Sequence, residues 1–174
     1  MISSVYNSVP EPGGSGKSLT PRGTARLAAV QAMYQMDVAQ TDAAAVIRQF
    51  VRYHFGHDIE GAYYDRADEP FFEDLVMGVV REQLVIDPLI SRHLAEKWRL
   101  SRIDSILRAI LRAATYELKD RKDVPFKVII NEYLDVAHAF FGGEEPRVVN
   151  GILDSIAREV RASEMQSPGN APAG

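Results

Sequence analysis

Apolar residues recur at helical intervals along the segment from Ile103 to Leu118. They are Ile103, Ile106, Leu107, Ile110, Leu111, Ala114 and Leu118. Because an α-helix turns once every 3.6 residues, this spacing places them on one face, as a helix that crosses a core requires. Ser101 and Asp104 stand at capping-box spacing and predict where the helix begins. The chain is therefore predicted to be built around a core-crossing helix.

The same periodicity and punctuation predict further helices on both sides of this segment. Asp42 can cap one of them, and the pairs Glu69-Pro70, Asp87-Pro88 and Glu145-Pro146 open others, since proline is tolerated in a first turn. Helices are predicted over about 24–39, from 42 toward 54, from 68–70, from 87–88, from 125 to 142, and from 145 to 160. Their apolar faces include Leu27, Val30, Tyr34, Val38, Val46, Ile47, Phe50, Val51, Tyr53, Phe72, Leu75, Val76, Val79, Val80, Phe126, Ile130, Leu134, Ala137, Phe141, Val149, Ile152, Leu153, Ile156 and Val160.

These elements predict an all-α fold, a compact bundle of about seven helices in a single domain over residues 21–162. Residues 1–20 and 163–174 are rich in Pro, Gly and Ser and are predicted to be a flexible arm and a disordered tail. The stretch 56–67 is predicted to be a surface loop. With 174 residues and no cysteine, the chain can hold one core but no disulfide or thiolate metal site. No apolar run approaches a membrane span, so a cytoplasmic protein is expected.

Charge is unevenly distributed along the chain, although its net charge is −4. Between residues 58 and 82 eight acidic residues stand against two arginines, and between 97 and 127 nine Lys or Arg stand against four acids. Arg108, Arg112, Thr115 and Lys119 follow one helical face opposite the apolar stripe, which indicates a basic strip. Arg22 and Arg26 are likewise four residues apart near a helix N-terminus, where phosphate can be held. A solvated charged face is the alternative interpretation.

No catalytic arrangement is found in the sequence. The four histidines have no zinc-hydrolase spacing, and the Gly13–Ser18 stretch lacks the first glycine and the preceding strand of a phosphate-binding loop. We therefore predict a protein that is not an enzyme and that has no cofactor and no metal.

Two segments carry longer motifs. The first runs from Arg22 to Asp37. The second contains Ile110-Leu-Arg112, Tyr116-Glu-Leu118, Asp123-Val-Pro125, Ile130-Asn-Glu132 and Val149-Asn-Gly-Ile-Leu-Asp154. In order and spacing these motifs resemble the bacterial NusB transcription antitermination family over roughly residues 22–160. The resemblance implies two packed helical halves, no catalysis, and binding of boxA RNA of ribosomal RNA leaders together with NusE, a small-subunit ribosomal protein. It also implies association with the elongating RNA polymerase, and a homodimer is possible.

The resemblance also implies site residues. The RNA-binding positions would be Arg22, Arg26, Arg112, Lys127, Arg147 and Asn150, and Tyr34 would lie on the partner-binding side of the first helix. Gly23 and Thr24 interrupt the basic run that relatives carry, and Val148 replaces an aromatic residue. We therefore expect weak RNA binding by the isolated chain and an affinity that depends on the partner.

Some assignments stay open at this level. Asn131 and Glu132 are predicted to make structural hydrogen bonds within their helix rather than to contact RNA. The Asn150-Gly151 pair has two interpretations: either Gly151 allows close helix packing, or Asn150 reaches a base or phosphate. Three other classes of function compete: the RNA-binding module of certain ribosomal RNA methyltransferases, a protein-interaction adaptor or RNA-binding module without boxA specificity, and a small enzyme.

Overall fold

The computed structural model describes residues 20–55 and 67–166, and these residues form helices and no strands. The helices are α1 (Pro21–Ala39), α2 (Ala43–Tyr53), α3 (Glu69–His93), α4 (Ser105–Asp120), α5 (Phe126–Phe140), α6 (Glu145–Val160) and α7 (Ala162–Gln166). The all-α prediction is therefore confirmed. The predicted 56–67 loop lies outside the described residues except for Ala67, as do all but Thr20 of the predicted arm and residues 167–174 of the predicted tail.

Helix α1 begins three residues earlier than its apolar period predicts. The Thr20 hydroxyl accepts a hydrogen bond from the backbone N–H of Gly23 at 2.9 Å, and Pro21 occupies the first turn. The cap supplies an acceptor for a helix N–H that would otherwise have no partner, and proline has no N–H to satisfy. This start places Arg22 in the first turn of α1.

Helix α3 replaces two predicted helices, so the prediction of a new helix at Asp87-Pro88 is wrong. The helix runs without a break through 25 residues and contains Pro88 inside it. Proline removes one helix hydrogen bond there. Ile86, Leu89 and Ile90 are nonetheless buried on either side of it. Burial of these side chains outweighs the lost hydrogen bond.

Helix α4 is the core-crossing helix that its periodicity predicts. It packs against α1, α3, α5 and α6, while α2 packs only against α1 and α3. Helix α4 thus joins α1 and α3 on one side to α5 and α6 on the other. The predicted capping role of Ser101 is wrong, because Asp104 itself is the N-cap and accepts from the N–H groups of Ile106 and Leu107.

Three side chains assigned to apolar faces are exposed to solvent. Val38 is 52% exposed, Tyr53 is 48% exposed and Val80 is 41% exposed. Val38 stands near the C-terminal end of α1, and Val80 belongs to the outer face of α3, where Leu84 is also exposed. Within the described ranges, no helix is long and apolar enough to cross a membrane.

The predicted tail begins too early, since residues 162–166 form α7. Arg161, at the end of α6, is 2% exposed and donates hydrogen bonds to backbone oxygens at the C-terminal end of α4 and in the loop after it. The acceptors are the carbonyls of Glu117, Leu118, Arg121 and Val124. Helix C-termini leave carbonyls without intrahelical partners, and a cation is favoured there. Arg161 thus ties α6 to α4, and its bond to Glu164 holds α7 against them.

Candidate nucleic-acid interface

Three guanidinium groups surround one buried ring where the start of α1, the start of α3 and the end of α4 meet. Arg22, Arg26 and Arg121 lie 4.7, 5.0 and 5.0 Å from the centroid of Phe71. Each distance allows a cation–π interaction. Arg26 is 3% exposed, whereas the side chains of Arg22 and Arg121 are 43% and 23% exposed. Arg22 and Arg121 are therefore the two members of this cluster that solvent reaches.

Arg26 does not face solvent as an RNA contact would. Its Nε and Nη2 donate to the two carboxylate oxygens of Glu117, each at 2.9 Å, and its Nη1 lies 3.6 Å from Glu132. Burial lowers the pKa of Arg26, but its hydrogen bond to and charge interaction with Glu117 outweigh burial and raise that pKa above its ordinary value. The pair joins α1 to α4, and Tyr133 of α5 is buried beside it.

Glu132 has the structural role that its sequence position predicts, but its partner is a side chain on another helix. It pairs with Arg26 of α1 rather than with neighbouring backbone. Asn131, the preceding residue, is exposed on α5.

Phe71 and the three arginines around it, Arg22, Arg26 and Arg121, are called the Phe71 cluster below. Asp123 lies on the solvent side of this cluster. Its two carboxylate oxygens accept from Nε and Nη2 of Arg121, each at 3.0 Å, and one of them lies 3.7 Å from Nη1 of Arg22. The hydrogen bond from Arg121 lowers the pKa of Asp123 to about 2. Asp68 lies 3.6 Å from Nε of Arg22. Both exposed guanidinium groups therefore face carboxylates.

The residues predicted to form a basic strip on α4 do not form an exposed charged face, so that prediction is wrong. Thr115 is fully buried, and Arg108 donates to Asp37 of α1. Lys119 donates to Glu82 of α3 at 3.2 Å. Since α1 and α3 pack on the same side of α4, the cations meet carboxylates of those helices instead of water.

Arg112 lies apart from the Phe71 cluster, about 14 Å along α4 from Arg121 at the usual helical rise. It makes two hydrogen bonds of 2.8 Å to Asp87 of α3 and lies 3.8 Å from Asp37. It lines a cleft of about 740 Å³ together with Trp98 and Arg108. Half-buried Tyr34 is one helical turn before Asp37 on α1. Arg112 therefore lies near the part of α1 that carries Tyr34, the predicted partner-binding residue, and not near Arg22.

Lys127, Arg147 and Asn150 are exposed, as their predicted role requires. They do not form one cluster. The four residues between α5 and α6 make the two helices antiparallel, and the N–H of Phe126 accordingly meets Glu164, which follows α6, at 3.2 Å. Lys127 therefore lies at the end nearer Arg22, and Arg147 lies about 20 Å away, at the length of α5.

Of the two interpretations of the Asn150-Gly151 pair, close helix packing at Gly151 is wrong. Among the described residues, a methyl group built on Gly151 would meet no atom within 4 Å beyond its chain neighbours and the nearby backbone of its own helix. Glycine inside an exposed helix costs roughly 0.5–1 kcal/mol relative to alanine. The helix surface beside Asn150 therefore has open space around it, and helix packing does not explain why glycine occupies position 151.

Sequence reasoning missed Arg121 and Asp123 as members of the site. Asp123 belongs to a recognised motif, but its spacing carries no sign of the arginines that it meets. Arg121 directly follows α4, outside the periodic pattern. The only available signal was the density of cations between residues 97 and 127.

These observations define an all-helical protein whose exposed candidate RNA-binding residues lie in two places, one near the start of α1 and the other at the start of α6. The chain belongs to the NusB family, whose model matches residues 23–158.

Individual relatives agree with this membership. The chain is 52% identical over 155 residues to a transcription antitermination protein NusB of Rhodopseudomonas palustris, covering 89% of this chain and 91% of that protein. It is 51% identical over 145 residues to the protein of the same name from Rhizobium rhizogenes, covering 83% and 91%. The T. maritima NusB structure superposes with a TM-score of 0.71 at 34% identity, covering 84% of this chain and 97% of that one.

A structure of antitermination factors NusB and NusE in complex with double-stranded RNA has the same fold. Its TM-score is 0.65 at 22% identity, over 79% of this chain and 96% of that chain.

Proposed function

We propose that this protein is a transcription antitermination factor that binds boxA RNA jointly with NusE and then joins the elongating RNA polymerase in the cytoplasm. The observation that carries the proposal is the NusB family match over residues 23–158, which covers α2 to α5 completely and all but two residues of each of α1 and α6. The likeness to a NusB–NusE–RNA complex supports the choice of ligand and partner. The protein would act by binding and not by catalysis.

Exposure divides the predicted RNA-binding residues into two groups. Arg22, Lys127, Arg147 and Asn150 are reachable by RNA, and we assign the direct contacts to them. Gly151 supports a close approach beside Asn150, because an absent side chain lets a nucleic-acid backbone lie against a helix. The path from Lys127 to Arg147, about 20 Å long, suits an extended single strand rather than one phosphate.

Arg26 and Arg112 would have to leave carboxylate partners to reach RNA. Removing one member of a buried ion pair typically costs 3–5 kcal/mol, which exceeds what one exposed phosphate contact returns. We therefore propose that Arg26 orients the start of α1 and that Arg112 stabilises the cleft near Tyr34, on the side where NusE would bind.

The test is fluorescence anisotropy of labelled boxA RNA and of a scrambled RNA, titrated with the protein alone and with equimolar NusE, at two salt concentrations. Arg147→Gln and Lys127→Gln should weaken boxA binding and reduce its salt dependence, since each removes one phosphate contact. The matched control is Arg48→Gln, because Arg48 is exposed and its helix, α2, packs against neither α5 nor α6. Equal affinity for boxA and scrambled RNA in the presence of NusE would contradict the proposed antitermination function.

The competing function is a protein-interaction adaptor, which the pairing of so many cations with carboxylates favours. In that case NusE or another protein would bind the chain, and neither Lys127→Gln nor Arg147→Gln would change any RNA affinity.

A further inference from the structure

The Phe71 cluster contains a guanidinium that is already held in the orientation needed to bind an anion. Nη1 of Arg121 donates to Asp74 at 3.0 Å, and the face of the guanidinium lies over Phe71. Asp74 is itself fixed by the hydroxyl of Tyr116, which donates to it at 2.8 Å. Two of the contacts that orient Arg121 are therefore made by α3 and do not depend on Asp123.

The remaining edge of the Arg121 guanidinium points toward solvent, where it makes two hydrogen bonds to one planar carboxylate. Its Nε and Nη2 bind the two oxygens of Asp123, whose side chain is 53% exposed. A phosphodiester presents two non-bridging oxygens with similar spacing and the same charge, and arginine binds both groups in this forked geometry. Arg22 approaches the same carboxylate at 3.7 Å, so a second cation faces the same position.

The position also lies where RNA would pass under the proposed function. Asp123 is in the short connection between α4 and α5, four residues before exposed Lys127. The exposed Asp123 side chain can leave the fork by rotating about its own bonds, while Arg161 holds the backbone carbonyls of Arg121 and Val124 in place. Arg121 then keeps its contacts to Asp74 and Phe71.

We infer that Arg121 and Arg22 form a binding site for one RNA backbone phosphate and that the Asp123 carboxylate occupies this site in the free protein. The inference rests on the proposed function and deepens it. A phosphate enters only when Asp123 leaves the fork, so Asp123 competes with RNA and lowers its affinity. This competition accounts physically for the weak RNA binding that is expected of the isolated chain.

The decisive variant is Asp123→Asn, which keeps the size of the side chain and removes its charge. Asp120→Asn is the matched control, because Asp120 is exposed nearby and binds Lys119 rather than the Phe71 cluster. Arg121→Gln and the double variant Asp123→Asn/Arg121→Gln complete the set. Urea denaturation of each variant identifies any loss of folding.

Anisotropy titrations with boxA and scrambled RNA, with and without NusE, should show about three- to tenfold tighter binding for Asp123→Asn than for Asp120→Asn. The salt dependence should steepen by about 0.7–0.9, the slope of one added phosphate contact. Arg121→Gln should abolish both gains in the double variant. Equal affinities for Asp123→Asn and Asp120→Asn would overturn the inference, and so would a gain that survives Arg121→Gln.

Failure of the proposed function gives a different pattern. A phosphate contact carries no sequence information, so the gain should appear on both RNAs. If the wild type does not prefer boxA but Asp123→Asn still gains on both RNAs, boxA recognition falls and the phosphate site stands. If boxA is preferred and Asp123→Asn is without effect, the phosphate site falls and the proposed function stands. If no variant binds either RNA, both fall.

Discussion

Replacing Arg26 should destabilise the fold before it affects any RNA contact. Arg26→Met leaves the Glu117 carboxylate, which is 0% exposed, without the guanidinium that binds both of its oxygens. An uncompensated buried charge of this kind costs about 3–5 kcal/mol. Domains of this class have a free energy of unfolding of about 5–15 kcal/mol, so the loss is a large fraction of the total.

The reverse substitution should cost less, for a reason visible in the structure. In Glu117→Met, Arg26 retains Glu132, whose carboxylate lies 3.6 Å from its Nη1 and is 30% exposed. The double variant Arg26→Met/Glu117→Met removes both charges and fills the space with apolar atoms. Its stability should lie close to that of the wild type, because well-packed apolar residues often replace a buried ion pair without loss.

Urea unfolding followed by far-UV circular dichroism measures these free energies, and thermal unfolding should show Arg26→Met melting about 6–20 °C lower. Arg48→Met, an exposed arginine on α2, is the control and should stay within about 0.5 kcal/mol of the wild type. A cost below about 1 kcal/mol for Arg26→Met would refute the reasoning, as would a double variant whose cost equals the sum of the two single costs.

Four further perturbations test the packing and charges of the fold. Gly78→Ala should destabilise by at least about 1–3 kcal/mol in urea, because its methyl group would lie 2.2 Å from the Tyr116 ring, whereas Gly151→Ala, with open space around it, should stabilise by about 0.5–1 kcal/mol. Arg161→Leu should cost more than about 3 kcal/mol, since it strips several buried carbonyls at the end of α4 of their donor, and a cost near zero would show that water replaces it. The hydrogen bond from Arg121 lowers the pKa of Asp123 from 3.8 to about 2. The stabilisation of the fold by this ion pair is therefore complete above about pH 4 and is lost as the pH falls from about 4 to about 2. An Asp123→Asn variant should lack that part of the acid-unfolding curve.

Local pattern was sufficient where a helix has one buried face. The stripe from Val149 to Ile156 on α6 is buried as its spacing predicts. On α4 the predicted stripe is buried too, but so are Thr115 and Glu117, which lie outside it. The period fails on α1, where every residue from Gly23 to Met33 is buried. A helix surrounded on all sides has no polar face, so its sequence cannot show that Arg26 points inward.

The sequence by itself determined the helical class, most helix bounds and the family, and it identified Lys127 and Arg147, which are exposed in the structure. Only the tertiary structure decided which arginines are available to a ligand. The partner of Arg26 is 91 residues away in the chain and that of Arg112 is 25 residues away. Whether an arginine reaches solvent or a carboxylate depends on which helices pack together. The spacing of residues within one helix contains no information about that choice.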